Sequence, residues 1–203
     1  MATSITTEQR VVEGARRAIG LYGWKEATLA RIAEEAGLSR MTLYRRGLGR
    51  EEILALLVRD YERDFRESLA PAVAGRGTGL KRLHRALLSV CEVTERHLPF
   101  LRGLDEETDQ RLFHERGAEI RSREAFVSPF EVVLEEGMRD GSIRDVDVRE
   151  TSTLLVNAVD RTYRHLRIAH GWPPARARRA LLDLLARSVA NGDAPPRHHT
   201  GAA

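Results

Sequence analysis

The sequence predicts an all-α protein, on three observations. Apolar residues recur three and four positions apart in one segment after another, which is the spacing of one face of a helix. No segment alternates apolar and polar positions as a half-buried strand does. Breaks that contain Gly and Pro, such as residues 71–79 and 171–174, separate the apolar segments. We therefore expect helices joined by turns, and no sheet.

The composition is that of a globular protein with a buried core. The 203 residues are 42% hydrophobic, and the net charge is +3, from 33 Lys and Arg against 30 Asp and Glu. This balance excludes a protein coated in nucleic acid but allows a local basic patch. The single cysteine, Cys91, cannot form a disulfide within the chain, and residues 1–9 lack a signal-peptide pattern. No apolar run reaches the ~18 residues of a membrane span, so we expect a cytoplasmic protein without membrane contact.

Residues 28–50 contain the most informative pattern of the chain. Thr28 is a suitable N-cap for a short helix, and Gly37 follows that helix at the position where a left-handed backbone favours Gly. The apolar face of this helix consists of Leu29, Ile32, Ala33 and Ala36. The pattern predicts a short amphipathic helix that ends in a tight turn.

A second short helix follows the turn. Ser39 is its expected N-cap, and Leu43 is its single apolar anchor. The other positions are polar, basic or flexible: Arg40, Met41, Thr42, Tyr44, Arg45 and Arg46. Two short helices joined by a Gly-containing turn are typical of a helix-turn-helix, whose second helix lies in the DNA major groove. The same pattern, taken alone, also fits a plain helical corner with a solvated basic face.

The segment from Gln9 to Leu57 resembles the DNA-binding domain of the TetR family of bacterial repressors. The matching residues are Ala15, Tyr22-Gly23, Thr28 to Ala33, Ala36 to Ser39, Thr42 to Tyr44 and Arg50 to Ile53. The resemblance implies a small DNA-binding head followed by a larger helical domain. That second domain is expected to bind a small-molecule effector and to dimerise through its last two long helices.

The sequence departs from the family pattern after Thr42-Leu43-Tyr44. Arg46 stands where the family usually has His, Gly47 where it has Phe, and Arg50 where it has Lys. The change to Arg50 keeps a cation that can bind phosphate. Gly47 removes an aromatic ring, so we expect Leu48 to turn inward and to replace it in the core.

We predict three parts in the chain. Residues 1–49 form a three-helix head, in which a helix from Glu8 to Tyr22, capped by Thr7, braces the helix-turn-helix. Residues 50–191 form the helical ligand-binding and dimerisation domain. Residues 192–203 form a disordered tail, because they combine Pro, Gly and His with no apolar face.

Apolar periodicity divides the second domain into helices. They cover about residues 50–69 and 79–97, a short helix opened by Pro99, a helix opened by a capping box at Ser128, and helices from Asp147 to His170 and from Ala175 to Ala190. In the charged stretch 105–117, Leu112 and Phe113 are the expected anchors. On the last helix, Leu181 and Leu185 are expected at the dimer interface.

Eight residues are expected to contact DNA. Thr28 can bind a phosphate at a helix N-terminus, and the resemblance implies phosphate contacts for Tyr44 and Arg50. Bases would be read from the second helix, since Arg suits guanine and a methyl group suits thymine. The full set is Thr28, Arg40, Met41, Thr42, Tyr44, Arg45, Arg46 and Arg50, with Arg46 able to serve either purpose.

An effector pocket is the second expected site. Its candidate residues are the polar or aromatic positions on otherwise apolar helix faces: Tyr61, Cys91, Thr94, His97, Phe100 and Phe130. Packing in the core is an equally good explanation for each of them. Cys91 fits a buried structural thiol better than a redox sensor. The His residues show no metal-site spacing, so we expect neither a metal nor another cofactor.

The helix-turn-helix and the resemblance together imply a dimeric transcriptional regulator that binds a palindromic operator in double-stranded DNA. We expect a repressor that a small-molecule effector releases from the operator, with an activator as the alternative. No catalytic cluster stands out among the carboxylates and His residues, so we do not expect an enzyme. The alternative is an all-α ligand-binding or enzymatic module whose basic head is incidental. Salt-dependent binding to DNA distinguishes the two, since only the regulator requires it.

Overall fold

The structure is a computed structural model that describes residues 6–104 and 126–192, and these residues form eight helices. Their bounds are α1 Thr7–Glu26, α2 Leu29–Glu35, α3 Arg40–Arg45, α4 Arg50–Val73, α5 Gly79–Gly103, α6 Ser128–Arg139, α7 Val148–Ile168 and α8 Pro174–Val189. In this part of the chain the only β pairing is an isolated bridge between Ile143 and Ala190. The all-α prediction is confirmed.

The head consists of α1, α2 and α3, as the sequence predicts. Its first helix starts one residue earlier than expected, because Thr6 rather than Thr7 is the N-cap and exchanges hydrogen bonds with Gln9. Gly23 has φ 77° and interrupts the helical path, and the chain then resumes its turn as far as Glu26. This last turn buries Trp24 against the core.

The fourth helix extends past its expected end at Leu69. It continues through Pro71 to Val73, and Ala72 is buried. Pro71 removes one backbone hydrogen bond, but it lies in the last turn, where the helix is close to ending anyway. Burial of Ala72 therefore favours helix beyond Leu69, and the expected break begins only after Val73.

The fifth helix corrects the expectation that Pro99 opens a separate short helix. Pro99 lies inside α5, which runs without a break to Gly103. An internal proline costs about 3 kcal/mol, and tertiary packing offsets it here. Gly20 of α1 faces Pro99, and a side chain on Gly103 would collide with the Ile19 carbonyl oxygen. The close approach of α1 thus holds the last turn of α5 in place.

The expected capping box at Ser128 is absent. The chain is already wound into a helical turn at Phe126 and Val127, so Ser128 is the first residue of α6 and its side chain caps nothing. Residues 105–125 lie outside the described residues, and with them the expected anchors Leu112 and Phe113.

The last two helices match their predicted positions. Asp147 caps α7 by accepting a 2.7 Å hydrogen bond from the Glu150 amide. After α8, the amide of Asn191 donates to the Ser142 carbonyl at 3.1 Å, so the chain is tied down as far as that residue. The expected tail, residues 192–203, lies outside the described residues apart from Gly192.

The helix α5 is the centre of the molecule. It contacts α1 of the head and also α4, α6, α7 and α8. Buried apolar residues form one cluster that runs from Val11 in the head to Val189 in α8. A domain boundary between residues 49 and 50 thus stays a prediction, because the core continues across it.

In the described part of the chain, no helix is both long and apolar enough to cross a membrane.

Candidate nucleic-acid interface

The turn between α2 and α3 has the geometry of a helix-turn-helix. Gly37 has φ 62°, a conformation that costs little only for Gly. The amide of Leu38 donates to the Ala33 carbonyl at 2.8 Å, which closes the end of α2. The Ser39 hydroxyl then accepts a hydrogen bond of 3.1 Å from the Thr42 amide and caps α3. Local hydrogen bonds therefore set the angle between the two helices.

Close packing against α1 holds this unit in place. Gly14 of α1 touches the backbone of Ala36, and any side chain at Gly14 would collide with it. Arg10 reaches across and donates to the Gly37 carbonyl at 2.6 Å. Arg17 forms an ion pair with Glu35, with 3.2 Å between nitrogen and oxygen. These contacts with α1 thus fix the position of α2 and α3 within the head.

The outer face of α3 is open to solvent, as a reading helix requires. Leu43 is its one buried residue, with 1% exposure, whereas Met41 and Tyr44 are 63% and 58% exposed. The other exposed side chains of this face are Arg40, Arg45 and Arg46, and no carboxylate lies within α3. An α-helix with its side chains is about 10–12 Å across, which fits a major groove about 12 Å wide.

Two of the predicted DNA contacts make local hydrogen bonds. Thr28 is exposed at the start of α2 and accepts from the Arg31 amide at 3.4 Å, so it serves as the expected N-cap. Thr42 is half-buried, and its hydroxyl lies 2.9 Å from that of Ser39. Because the Thr42 hydroxyl is engaged with Ser39, the Thr42 methyl group is the part of the side chain best suited to contact a base.

Arg50 has partners within the protein that the sequence did not indicate. Its guanidinium lies 4.4 Å from the centre of the Trp24 ring. It also donates to the carbonyls of Trp24 at 2.7 Å and of Ala27 at 3.0 Å. The side chain thus fastens the start of α4 to the turn between α1 and α2. A phosphate contact by Arg50 stays a prediction, and the geometry favours a supporting role.

Sequence reasoning also missed the contact between Arg31 and Tyr22, although both residues belong to the segments that match the family. The guanidinium of Arg31 stacks over the Tyr22 ring at 4.4 Å and donates to the Glu26 carbonyl at 2.7 Å. Tyr22 is 44% exposed beside the start of α2. The two residues are nine positions apart, on either side of the helix break at Gly23. Helical periodicity does not continue across that break, so the sequence did not predict their contact.

The six expected pocket residues are all buried in the core. They come from α4 (Tyr61), α5 (Cys91, Thr94, His97, Phe100) and α6 (Phe130), and each is at most 4% exposed. Burial raises the pKa of the Cys91 thiol to about 12, which makes it unreactive. The Thr94 hydroxyl donates to the Val90 carbonyl at 2.8 Å. These features fit core packing, so a ligand role for the six stays a prediction.

Tyr61 and His97 are the two candidates that the structure brings together. Their rings meet edge to face, with 4.9 Å between centroids. Phe126 packs against Tyr61 at 5.9 Å and against Phe65 at 4.6 Å. Phe65 and Phe126 were not predicted, because neither stands out from an ordinary apolar face.

A polar cluster surrounds the other edge of His97. Its Nε2 lies 2.8 Å from Asp64 and 3.3 Å from Arg16, a residue of the head. Burial by itself raises the pKa of the Asp64 carboxyl, but hydrogen bonds from Arg96 and His97 outweigh it and lower that pKa to about 2. The sequence held one signal for this cluster, since Asp60, Asp64 and Ser68 recur every four residues along α4.

Comparison with known proteins identifies the head. Residues 11–55 match the family model described as bacterial regulatory proteins, tetR family. An uncharacterized HTH-type transcriptional regulator, YhgD of Bacillus subtilis (strain 168), is 20% identical over 157 residues, which are 75% of this chain and 80% of that protein.

Solved structures share the fold. The fatty acid degradation regulator FadR from Bacillus halodurans superimposes with a TM-score of 0.75 at 13% identity, covering 91% of this chain and 96% of that one. The ketosteroid transcriptional regulator KstR2 of Mycobacterium tuberculosis gives 0.69 at 19% identity, covering 93% and 97%. At these identities the likeness concerns the arrangement of helices.

Proposed function

We propose, from the premise that this chain is a transcriptional regulator of the TetR family, that it is a cytoplasmic repressor of operator DNA. The observation that carries the proposal is the exposed, basic outer face of α3 on a braced head. In a dimer, two such helices enter successive major grooves, and the operator is a palindrome with matching half-site spacing. The alternative of an incidental head is not favoured, because the family match covers that head.

Within this proposal the residues of α3 have different tasks. Arg40 and Arg45, with Met41 and the Thr42 methyl group, read base edges. Tyr44, together with Thr28 at the start of α2, contacts phosphates and sets the register on the duplex. Arg46 also donates to the Thr7 hydroxyl at 3.3 Å, which favours a backbone contact near the edge of the groove.

We propose dimerisation through α7 and α8. Leu154 of α7 and Leu184 of α8 are 61% and 67% exposed, and they lie on two helices that pack against each other. Two copies that join these faces around a two-fold axis would cover both leucines. Leu181, expected at this interface, is instead 5% exposed inside its own chain, and Leu185 is half-buried there.

A small-molecule effector would bind among the buried residues around Tyr61 and His97. It acts by binding one arrangement of the heads more tightly than the other, and it shifts the dimer toward that arrangement.

Selection of bound fragments from the host genome tests the function. Recovered fragments should share a palindromic sequence, and affinity for that sequence should fall steeply with salt, whereas a scrambled duplex binds weakly. Recovery of unrelated fragments, or binding that does not depend on salt, would contradict the proposal.

Arg40→Ala tests the groove assignment directly. We expect a cost of roughly 1–3 kcal/mol that is concentrated at one base pair of each half-site. The measurement is binding to a set of operators with single base substitutions. Arg66→Ala is the matched control, because Arg66 is an exposed arginine of α4 outside the head. Unchanged base preferences in Arg40→Ala would show that Arg40 does not read the groove.

A further inference from the structure

One polar cluster connects the head to α4 and α5. Arg16 of α1 forms an ion pair with Asp60 of α4, and its guanidinium lies 3.3 Å from the His97 Nε2 of α5. His97 is 1% exposed, so this contact is shielded from water. Three helices thus meet at the His97 ring, and one of them belongs to the head.

The hydrogen bond to Asp64 determines which nitrogen of His97 carries the proton. The Asp64 carboxylate lies 2.8 Å from Nε2 and also accepts hydrogen bonds from Arg96 at 2.8 and 3.1 Å. An ionised carboxylate only accepts, so the neutral ring carries its proton on Nε2 and donates to Asp64. Arg16, also a donor, is then next to the ring as a charge and not as a hydrogen-bond partner.

The second nitrogen of the ring is left without a partner. His97 Nδ1 is buried, and no hydrogen-bond partner for it exists in the described structure. The edge-to-face Tyr61 ring packs beside the imidazole. A proton added at Nδ1 would therefore create a buried N–H without an acceptor, as well as a second positive charge close to Arg16.

The charged groups around the ring oppose one another. Arg16 from α1 disfavours a charged His97, whereas Asp60 and Asp64 from α4 favour it, and Arg96 of α5 partly neutralises Asp64. On the α7 side, the Asp160 carboxylate lies 3.2 Å from the Thr94 hydroxyl, one turn before His97. Burial has the largest effect and lowers the pKa of His97 below its ordinary value, with Arg16 acting in the same direction.

We propose that His97 is a positioning residue for the DNA-binding head, and that protonation of its ring displaces Arg16 and loosens the head from α5. The proposal rests on the proposed function only in taking the head as the DNA-binding part. In the neutral state Arg16 stays on Asp60 beside the ring and keeps α1 against α5. In the protonated state two cations would lie 3.3 Å apart in a buried site, and the movable partner is Arg16, whose side chain is 27% exposed.

A distance measurement within one chain tests this directly. Cysteines replace Glu34 on α2 and Glu135 on α6, both exposed, and each receives a spin label. Labelled chains are diluted with unlabelled protein so that only distances within a chain are recorded. Cys91 is buried and should stay unlabelled, which is checked on the protein without the added cysteines. We expect the distance distribution to shift or broaden as the pH falls from about 7.5 to about 4.5, because a lowered pKa moves the protonation of His97 toward the acid side of the range of about pH 5–8 in which histidine usually titrates.

His97→Gln separates this mechanism from general acid effects. Its amide can still donate to Asp64 but takes up no proton, so its distance distribution should be the same at both pH values. His84→Gln, on the same helix but exposed, is the matched control and should respond as the wild type does. The proposal is overturned if the wild type does not shift, or if His97→Gln shifts as much as the wild type.

Arg16→Gln is the second variant, for the case in which His97→Gln does not fold. It leaves His97 in place and removes the cation that protonation would repel. Its acid response should be smaller than that of the wild type, and a response of full size would overturn the proposal.

DNA binding is measured separately on a selected operator fragment. The part of the pH dependence that comes from His97 should be at most about a hundredfold in affinity per pH unit, because a dimer carries two copies of His97 and each can link one proton. His97→Gln should lack this part. If the chain binds no DNA, the proposed function fails, but the distance measurement still decides the role of His97.

Discussion

At the scale of single residues, Arg50 does more inside the protein than its position in the motif suggests. It stacks on the Trp24 ring, and its hydrogen bonds satisfy the Trp24 and Ala27 carbonyls at the turn between α1 and α2. Hydrogen bonds that involve a charged group contribute roughly 1.5–3 kcal/mol. Arg50 therefore stabilises the junction from which α2 and α4 both start.

We expect Arg50→Ala to lower the free energy of unfolding by roughly 1–3 kcal/mol, because the carbonyls lose their donor. DNA affinity should fall as the head loosens, but the slope of log affinity against log salt should stay unchanged. Arg45→Ala is the comparison, since Arg45 is exposed on α3 and its loss should reduce the slope by up to about one. Thermal unfolding and salt titrations measure both. An Arg50→Ala protein of unchanged stability, with a reduced slope of log affinity against log salt, would instead show that Arg50 contacts a phosphate.

At the scale of elements, the loop after α3 explains how the head tolerates the loss of an aromatic ring. Gly47 has φ 65°, and Leu48 turns back so that its amide donates to the Leu43 carbonyl at 3.0 Å. The Leu48 side chain is half-buried and packs against the core. The inward turn expected from the sequence is thus present, with less burial than a core leucine has.

Leu48→Ala should lower the free energy of unfolding by about 1–2 kcal/mol, less than the 2–5 kcal/mol of a fully buried leucine, because part of the side chain already meets solvent. Gly47→Phe should destabilise the head further and not restore the family packing, since a side chain at this φ costs about 1–2 kcal/mol. Gly47→Ala measures the cost of a side chain at this backbone conformation alone, and the difference between Gly47→Ala and Gly47→Phe measures the effect of the ring. Denaturant unfolding measures all three, and a Gly47→Phe protein more stable than the parent would contradict the argument.

At the scale of the whole molecule, Leu154 of α7 and Leu184 of α8 lie exposed on the two helices that we propose for the dimer interface. Both helices use one face for the core, where Val159 and Leu182 are buried, and leave Leu154 and Leu184 in solvent on another. We propose this second face, on the last two long helices, as the dimer interface.

Leu184→Glu should therefore yield folded monomers at micromolar concentration that have lost operator affinity, because a charge would have to be buried at the interface. Leu21→Glu is the matched control: Leu21 is 66% exposed on α1 of the head, so that variant should stay dimeric. Light scattering gives the mass, and circular dichroism checks that each variant is folded. Leu181→Glu is unsuitable, since Leu181 is buried in its own chain and its loss would unfold the protein. A Leu184→Glu protein that is still dimeric would show that the dimer interface does not include Leu184.

The sequence by itself determined the helix-turn-helix and its caps, because those signals are local. Ser39 and Thr28 each bond an amide a few residues away, and Gly37 supplies a backbone conformation that other residues avoid. The tertiary structure alone decided the course of α5 through Pro99, the partners of Arg50, and the meeting of Arg16, Asp64 and His97. These features depend on contacts between residues far apart in the chain. There, the close packing of α1 on α5 outweighs the local preference to end a helix, and a charged side chain takes whichever partner the folded chain brings near.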